Sequence, residues 1–476
     1  MAWLALALII FIFQIATILI VEYRHPSKAV AWLLILFCFP VIGFAVYYFV
    51  AQDYKNRRKV RKKGTHLFRK RKKAIWQNSS IITRPFQSNN FELRRESRLF
   101  RLLSHLSESP ISGCNDTEVL TNGEATYEAM FKAMEKAEHH IHLEFYIFRG
   151  DRIGTRFQQL LLKKAREGVK VRIIVDGLGS YGLNARFVKP LRDSGIEFFS
   201  FLPPLFALYH RKVNFRNHRK ILVVDGKVGF VGGINIGDEY LGNDKKLGFW
   251  RDTQIQLKGD AVYFLQNTFI NDWFVVSNRE LDDPELYPSH HCQGSEQVQM
   301  IASGPDSRWD AIQEMFFGAI SVGKQRIYIQ TPYFIPDLSI FTALKTAAVS
   351  KVDVRVIIPG VNDSKLVNLA SLSYVEELMQ AGVRFYQYQK GFMHAKIVIV
   401  DHMLASVGTA NMDMRSLFSN FELNAVLFER STIERLYVDF EQDLKDSKEI
   451  ILKEFEQRSR MQKIKEMLAR MLSPLL

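Results

Sequence analysis

Two stretches of this 476-residue chain carry the same reactive side chains at the same spacing. One is His218-x-Lys220-x4-Asp225-x6-Gly232-Gly233-x-Asn235, the other His394-x-Lys396-x4-Asp401-x6-Gly408-Thr409-x-Asn411. These are the residue types that phosphodiester chemistry needs. The negative charge of a phosphodiester repels nucleophiles, so a site must neutralise it and must also give the departing oxygen a proton. Lys220, Lys396, Asn235 and Asn411 offer donors for phosphoryl oxygens. Histidine, with a reference pKa of about 6.5, exists in both protonation states near neutrality. One such string can arise by chance, whereas two copies with identical spacing point to a duplicated unit.

Strand periodicity sorts the motif residues. His218 and Lys220 are two apart in the strand-like stretch 217–224 and project from one face, as do His394 and Lys396. Asp225 is seven positions from His218 and falls on the opposite face, and Asp225-Gly226 reads as a hairpin turn. Asp225 and Asp401 are thus expected to shape turns or meet another basic group. The acids that orient the imidazoles must come from elsewhere. Glu422, in Asn420-Phe421-Glu422-Leu423-Asn424, is the candidate in the second half and Asp252, in Trp250-Arg251-Asp252, the one in the first. Each would accept a hydrogen bond from a histidine Nδ1.

The elements that must position these groups repeat as well. In the first half a helix over 125–137 precedes a strand over 141–148, a helix over 155–167 and a strand over 169–175. In the second the matching segments are 309–320, 327–334, 340–348 and 352–358. Alternating helices and strands predict an α/β fold: two pseudo-twofold α-β-α repeats packed around one active site, preceded by a transmembrane helical hairpin. The segmentation is 1–50 for two membrane helices, 51–114 for a basic juxtamembrane segment and linker, and 115–281 for the first repeat. A linker with Pro284 and Pro288 follows over 282–295, then the second repeat over 296–445 and a C-terminal amphipathic helix over 446–476.

The hairpin rests on two apolar runs, 2–21 and 29–50, the first broken only by Gln14 and the second by Pro40 and Gly43. Twenty helical residues at about 1.5 Å each span roughly 30 Å, the thickness of bilayer hydrocarbon. No basic n-region or small-residue cleavage site marks a signal peptide. Pro40 leaves open a kinked or re-entrant second segment. Twelve Lys or Arg lie between Lys55 and Lys73, so the formal charge of +14 less these twelve leaves about +2 for the rest. Such a block beside a membrane helix predicts that the C-terminal part lies on the cytoplasmic side of the cell membrane. It also suits anionic headgroups, although a plain topology signal explains it equally well. Cys38, Cys114 and Cys292 are too few for a disulfide framework or a thiolate metal site.

Several other features carry less. Gly177-x-Gly179-x-x-Gly182 fits a dinucleotide fingerprint, but Glu197 begins its strand where an acid should end it, and a tight strand-to-helix turn explains the glycines. His140, His142 and Glu144 alternate along one strand face, an arrangement poorly suited to compact metal coordination. Arg326, Tyr328 and Gln330 take the matching face in the second half, which suggests a polar wall between the repeats. His290-His291-Cys292 falls in the linker. The apolar stretch 201–208 lies just before Arg211, Lys212 and Arg216 and reads either as a segment dipping into a lipid interface or as a buried loop. Ile451, Phe455, Ile464, Met467, Leu468, Met471 and Leu472 recur near helical spacing among basic residues, and domain packing is the favoured use of that helix over membrane contact.

The paired motifs resemble those of the phospholipase D superfamily, and the fuller arrangement resembles its bacterial cardiolipin synthases. The resemblance covers nearly the whole chain and includes both N-terminal apolar runs. It also includes Arg216-Asn217-His218-Arg219-Lys220, Gln330-Thr331-Pro332-Tyr333-Phe334 and the ending Leu472-Ser473-Pro474-Leu475-Leu476. Gly233 and Thr409 stand where the superfamily often has serine, which removes a side-chain hydroxyl at 233. The resemblance implies a catalytic signature of His218, Lys220, Asp225, His394, Lys396 and Asp401, the two aspartates being its structural members. It assigns phosphate binding to Asn235 and Asn411. It further implies that His218 attacks phosphorus while His394 acts as acid and base, an order the residues themselves leave open. The implied reaction joins two phosphatidylglycerols into cardiolipin and releases glycerol, with no metal or other cofactor and no nucleic-acid partner. A phospholipase D-type hydrolase, another phosphatidyltransferase, a nuclease and a catalytically dead lipid scaffold are the alternatives.

Overall fold

A computed structural model describes residues 2–22, 26–50, 75, 79–106, 109–209, 214–289, 294–307 and 309–476. The basic block, Arg211, Lys212 and the His290-His291-Cys292 cluster lie outside the described residues.

Each repeat contributes seven strands to one continuous sheet. In the first these are β1 (Ile111–Thr121), β2 (His140–Phe145), β3 (Lys170–Asp176), β4 (Glu197–Phe201), β5 (Lys220–Val224), β6 (Val228–Gly232) and β7 (Thr253–Gly259). In the second they are β8 (Glu296–Ser303), β9 (Arg326–Gln330), β10 (Asp353–Pro359), β11 (Arg384–Tyr388), β12 (Ile397–Val400), β13 (Leu404–Gly408) and β14 (Glu422–Leu427). The spatial order is β11-β10-β9-β12-β13-β14-β8-β1-β7-β6-β5-β2-β3-β4. Reading outward from the antiparallel β8–β1 seam, the halves match strand for strand. Within each half three strands run parallel and the others antiparallel.

Both faces of the sheet are covered, which is why β12 is an unbroken apolar run and β5 is apolar after Lys220, neither with an exposed residue. One core lies on the outer side of each repeat. A third is shared, bringing Ile221, Val231 and Ile255 of the first half together with Ile397, Val407 and Leu423 of the second. The helices start where side chains cap them. Asp151 accepts from the Gly154 N–H and starts Arg152–Arg166, and Asp337 accepts from the Ser339 and Ile340 N–H groups and starts Leu338–Val349. Both begin two or three residues before the apolar periodicity suggests, because the cap sets the first turn.

The N-terminal segment differs from expectation. Helix α1 (Ala2–Val21) forms as predicted, but the second apolar run is split into α2 (Pro26–Cys38) and α3 (Pro40–Val50). Pro40 lacks the N–H that would continue the first of these. Among the described residues no helix is long and apolar enough to cross a membrane, so the expected transmembrane hairpin is cut back to one helix and a second segment broken at Pro40, the kink that the sequence left open. Ile18, Trp32, Leu36 and Tyr47 pack the three together, with Leu475 from the C-terminus against them.

The C-terminal helix Arg460–Met471 packs on Lys365–Gln380. Ala469 is buried there beside Ala370 and Ile335, and Arg458 pairs with Glu376 and Glu466. Cys114 is disulfide-bonded, a link that three scattered cysteines did not suggest.

Candidate active site

The chain leading into each motif histidine lies against the chain leading into the other half's acid. Phe249–Arg251 pairs in parallel with Gly391–Met393, and the next residue, His394, donates its N–H to the Arg251 carbonyl at 2.8 Å. Across the site Asn217 bridges Phe421, and the His218 N–H donates to the Phe421 carbonyl at 2.9 Å. Gly391 makes the first contact possible, because a Cβ there would stand 2.0 Å from the Phe249 carbonyl oxygen.

The acids are therefore exchanged between the repeats. His218 Nδ1 lies 3.0 Å from both carboxylate oxygens of Glu422, and His394 Nδ1 lies 2.7 Å from Asp252 Oδ2. The sequence leaves open which acid meets which histidine; the parallel contacts give each acid the histidine of the other repeat. Both carboxylates are completely buried, while the imidazoles keep 12% and 11% of their side-chain surface exposed. Tyr146 packs edge-on against the His218 ring and Trp250 lies tilted against that of His394, each with centroids 4.9 Å apart.

Lys220 and Lys396 donate to the carbonyls of their own histidines, at 2.7 and 2.6 Å. The four basic groups share one electrostatic field. Burial pushes the His218 imidazole down to about 4, with Lys220 and Lys396 adding to the effect and Glu422 opposing it. Burial, then Lys396 and more weakly Lys220, pushes His394 down to about 3 against the pull of Asp252. Burial also lowers Lys220 to about 7, aided by Lys396, and lowers Lys396 to about 8. It works the other way on the acids, yet the facing imidazole and lysine hold Asp252 and Glu422 below the usual carboxylate range. Near neutrality both imidazoles are thus uncharged, and donation of Nδ1–H to a carboxylate leaves Nε2 as the basic nitrogen.

Asp225 and Asp401 stand outside this constellation. Each sits at a positive φ of 53° in the hairpin after β5 or β12. The Asp225 carboxylate accepts from the backbone N–H groups of Glu138, His139 and His140, and that of Asp401 from those of Lys324, Gln325 and Arg326. Phe145 pairs with Lys220 and Ile141 with Val224, so Asp225 is at the far end of β2 from the histidine, seven residues or about 23 Å along the strand at roughly 3.3 Å per residue. Their place among the catalytic residues is corrected: they clamp the start of the central strand.

The asparagines are also engaged in the protein. Asn235 donates to the Tyr240 hydroxyl and accepts from the Ile147 N–H, and Asn411 donates to Asp413. Each of these bonds uses one of the two N–H groups of the amide, and the other is what a phosphoryl oxygen would need.

Sequence reasoning missed Asp176, Tyr146 and the role of Thr409. Asp176 accepts from the Asn217 N–H at 3.0 Å and holds the strand just before His218. Its position at the end of β3, beside the basic Arg216, was the available signal. The other clusters serve the fold: Gln266 bonds both His140 and His142, and Glu144 accepts from Asn217.

A family model described as cardiolipin synthase, phospholipase D-like domain matches residues 130–273 and 317–444. A second, described as phospholipase D-nuclease N-terminal, matches 3–52. Cardiolipin synthase 2 of Bacillus anthracis is 43% identical over 466 residues, covering 98% of this chain and 90% of that protein. The cardiolipin synthase of Alkalihalophilus pseudofirmus is 45% identical over 468 residues, covering 97% and 92%. The crystal structure of a phosphatidylserine synthase from Haemophilus influenzae superposes with a TM-score of 0.63 at 15% identity, covering 80% of this chain and 100% of that one, a likeness of fold. With both halves matched and full-length relatives above 40% identity, the chain belongs to the cardiolipin synthases of the phospholipase D superfamily.

Proposed function

We propose that the protein transfers the phosphatidyl group of one phosphatidylglycerol to the free glycerol hydroxyl of another, making cardiolipin and releasing glycerol. The observation that carries this reading is the pair of imidazole–carboxylate couples, each assembled from both repeats and set among two buried lysines.

His218 Nε2 attacks phosphorus, and the bond from phosphorus to the leaving glycerol oxygen breaks as His394 gives that oxygen a proton. His394 then takes the proton of the incoming hydroxyl, whose oxygen attacks phosphorus and releases His218. Glu422 steadies the positive charge that His218 acquires, and Asp252 does the same for His394. In the empty site both imidazoles are neutral, and a bound phosphodiester adds the negative charge that draws a proton onto His394. The lysines neutralise the phosphoryl oxygens. Burial favours transfer over hydrolysis, because a lipid hydroxyl held at phosphorus excludes water from the same position. No step is routed through a metal, another cofactor or nucleic acid.

Anionic lipid is the natural partner, and a multi-pass membrane attachment fits the N-terminal segment. Trp3, Ile20, Phe37 and Val41 are each more than 70% exposed on the three packed helices, a surface that hydrocarbon accepts and water does not. The broken α2–α3 pair suits a kinked or re-entrant second segment. The basic block that follows favours the cytoplasmic side for the two repeats, whose limits we take as 115–281 and 296–445.

The test is purified protein in vesicles of phosphatidylglycerol alone, with chelator present. Cardiolipin and glycerol are the expected products. Phosphatidic acid would indicate a hydrolase, and dependence on a nucleotide-activated lipid would indicate another phosphatidyltransferase.

A further inference from the structure

We propose that an apolar rim on the first repeat, formed by the loops after β3 and β4, docks the mouth of the active site onto the bilayer. The inference deepens the phospholipid-transfer reading and rests on it.

The loop after β4 contains the short helix Pro204–Tyr209. Ala207 faces inward, while Leu205 is 84% and Tyr209 82% exposed and Leu208 nearly half exposed. The loop after β3 adds Tyr181, 76% exposed, and Leu178. The two loops meet at their roots. The Gly177 N–H donates to the Phe201 carbonyl at 2.8 Å, and a Cβ on Gly177 would stand 2.6 Å from Pro203 Cα. Large apolar side chains clustered at two adjoining loop tips are unfavourable in water and favourable in the headgroup–acyl boundary of a membrane.

The rim is tied to the reactive histidine by one buried carboxylate. Asp176 accepts from the Leu178 and Gly179 N–H groups at 2.9 Å, from the Asn217 N–H at 3.0 Å and from Arg216 Nη1 at 3.3 Å. Residues that touch the bilayer and the strand that leads into His218 thus hang from the same point. A lipid headgroup entering past the rim arrives beside the imidazole.

The rim is also continuous with the N-terminal helices. Arg415 Nη2 donates to the Asn214 carbonyl, at the base of the loop after β4, and the Arg415 N–H donates to the Leu476 carbonyl. Leu475 packs against α1–α3. Anchor, chain terminus and the far end of the loop after β4 are therefore joined through Arg415. The bilayer that receives the exposed faces of the anchor is the surface the rim meets, which selects a lipid bilayer over a second copy of the chain as its occupant.

The test uses the full chain on two forms of phosphatidylglycerol: vesicles, and a short-chain lipid dissolved below its micellar concentration. Leu205→Asp is expected to lower turnover on vesicles about tenfold, as loss of one inserted leucine implies, and to leave the rate on dissolved lipid within about twofold. An unchanged vesicle rate, or an equal loss on both substrates, overturns the proposal. A photoreactive side chain placed at position 205 gives an independent readout. Adducts with vesicle lipid support the rim, and adducts with another copy of the chain, or none, overturn it. If the unsubstituted protein makes cardiolipin from neither substrate, the functional reading fails, and the crosslinking result still decides the docking surface.

Discussion

After the one glycine fixed in both motifs, Gly232 or Gly408, the first repeat has Gly233 and the second has Thr409, and this difference accompanies another, Asp252 in one half and Glu422 in the other. A Cβ on Gly233 would stand 2.1 Å from Asp252 Oδ1, so the aspartate fills the space that a side chain would need. In the second repeat the longer acid reaches further, and the Thr409 hydroxyl donates to Glu422 Oε2. Asn420 adds a second donor to Glu422, whereas Asp252 is held by the Thr253 N–H at 2.8 Å and the Trp250 indole at 3.4 Å. Acid length and the neighbouring side chain have changed together. Because each acid serves the opposite histidine, each repeat builds the holder for the other repeat's reactive group, and neither half is complete alone.

The comparison breaks most sharply at the imidazoles. His218→Ala and His394→Ala should each lower cardiolipin formation by about 10³-fold or more, measured as product per turnover time on phosphatidylglycerol. A p-nitrophenyl phosphodiester, whose leaving group needs no proton, separates the two: His394→Ala should still form a covalent adduct and His218→Ala should not. An adduct in the reverse variant would exchange the roles.

Neutralising the acids tests the crossed pairing. Asp252→Asn and Glu422→Gln should each cost about 10²-fold. Only Asp252→Asn should recover with the activated leaving group, because it acts through His394. Recovery of Glu422→Gln instead would restore a pairing within each half.

The coupled difference gives a smaller, unequal pair of effects. Gly233→Ala drives a methyl into Asp252 and should lower both activity, about tenfold, and stability, by about 1–3 kcal/mol. Thr409→Val removes one of several donors to Glu422 and should cost about 1 kcal/mol and a few-fold in rate. Thermal unfolding beside steady-state rates checks both, and equal penalties would refute the compensation.

The smallest effect is in pH. The lysine pKa values are lowered in the folded site, so each cation is present below about 7 or 8 and is lost as pH rises through that value. Inhibition by sulfate, whose charge is constant, should therefore weaken a few-fold between pH 6 and 9. A flat profile would mean that the lysines stay charged.

Much of this site was legible before any coordinates. Strand parity separates Asp225 and Asp401 from the histidines, and their carboxylates indeed bind backbone N–H groups at the far strand end. Pro40 marks the place where the second apolar run breaks. Other features were closed to such reading. The engagement of Asn235 by Tyr240 depends on a turn geometry that five residues of sequence do not specify. The hold of Asp176 on Asn217 joins residues 41 positions apart.

Residue types and spacing alone determined the chemistry, the duplication and the two acids, because reactivity and strand alternation are local properties. Which acid faces which imidazole was decided only in three dimensions. That pairing follows from the parallel contact of 249–251 with 391–393 and of Asn217 with Phe421. These are meetings of distant segments that form only when two repeats bury a common core, and no pattern within either repeat encodes them.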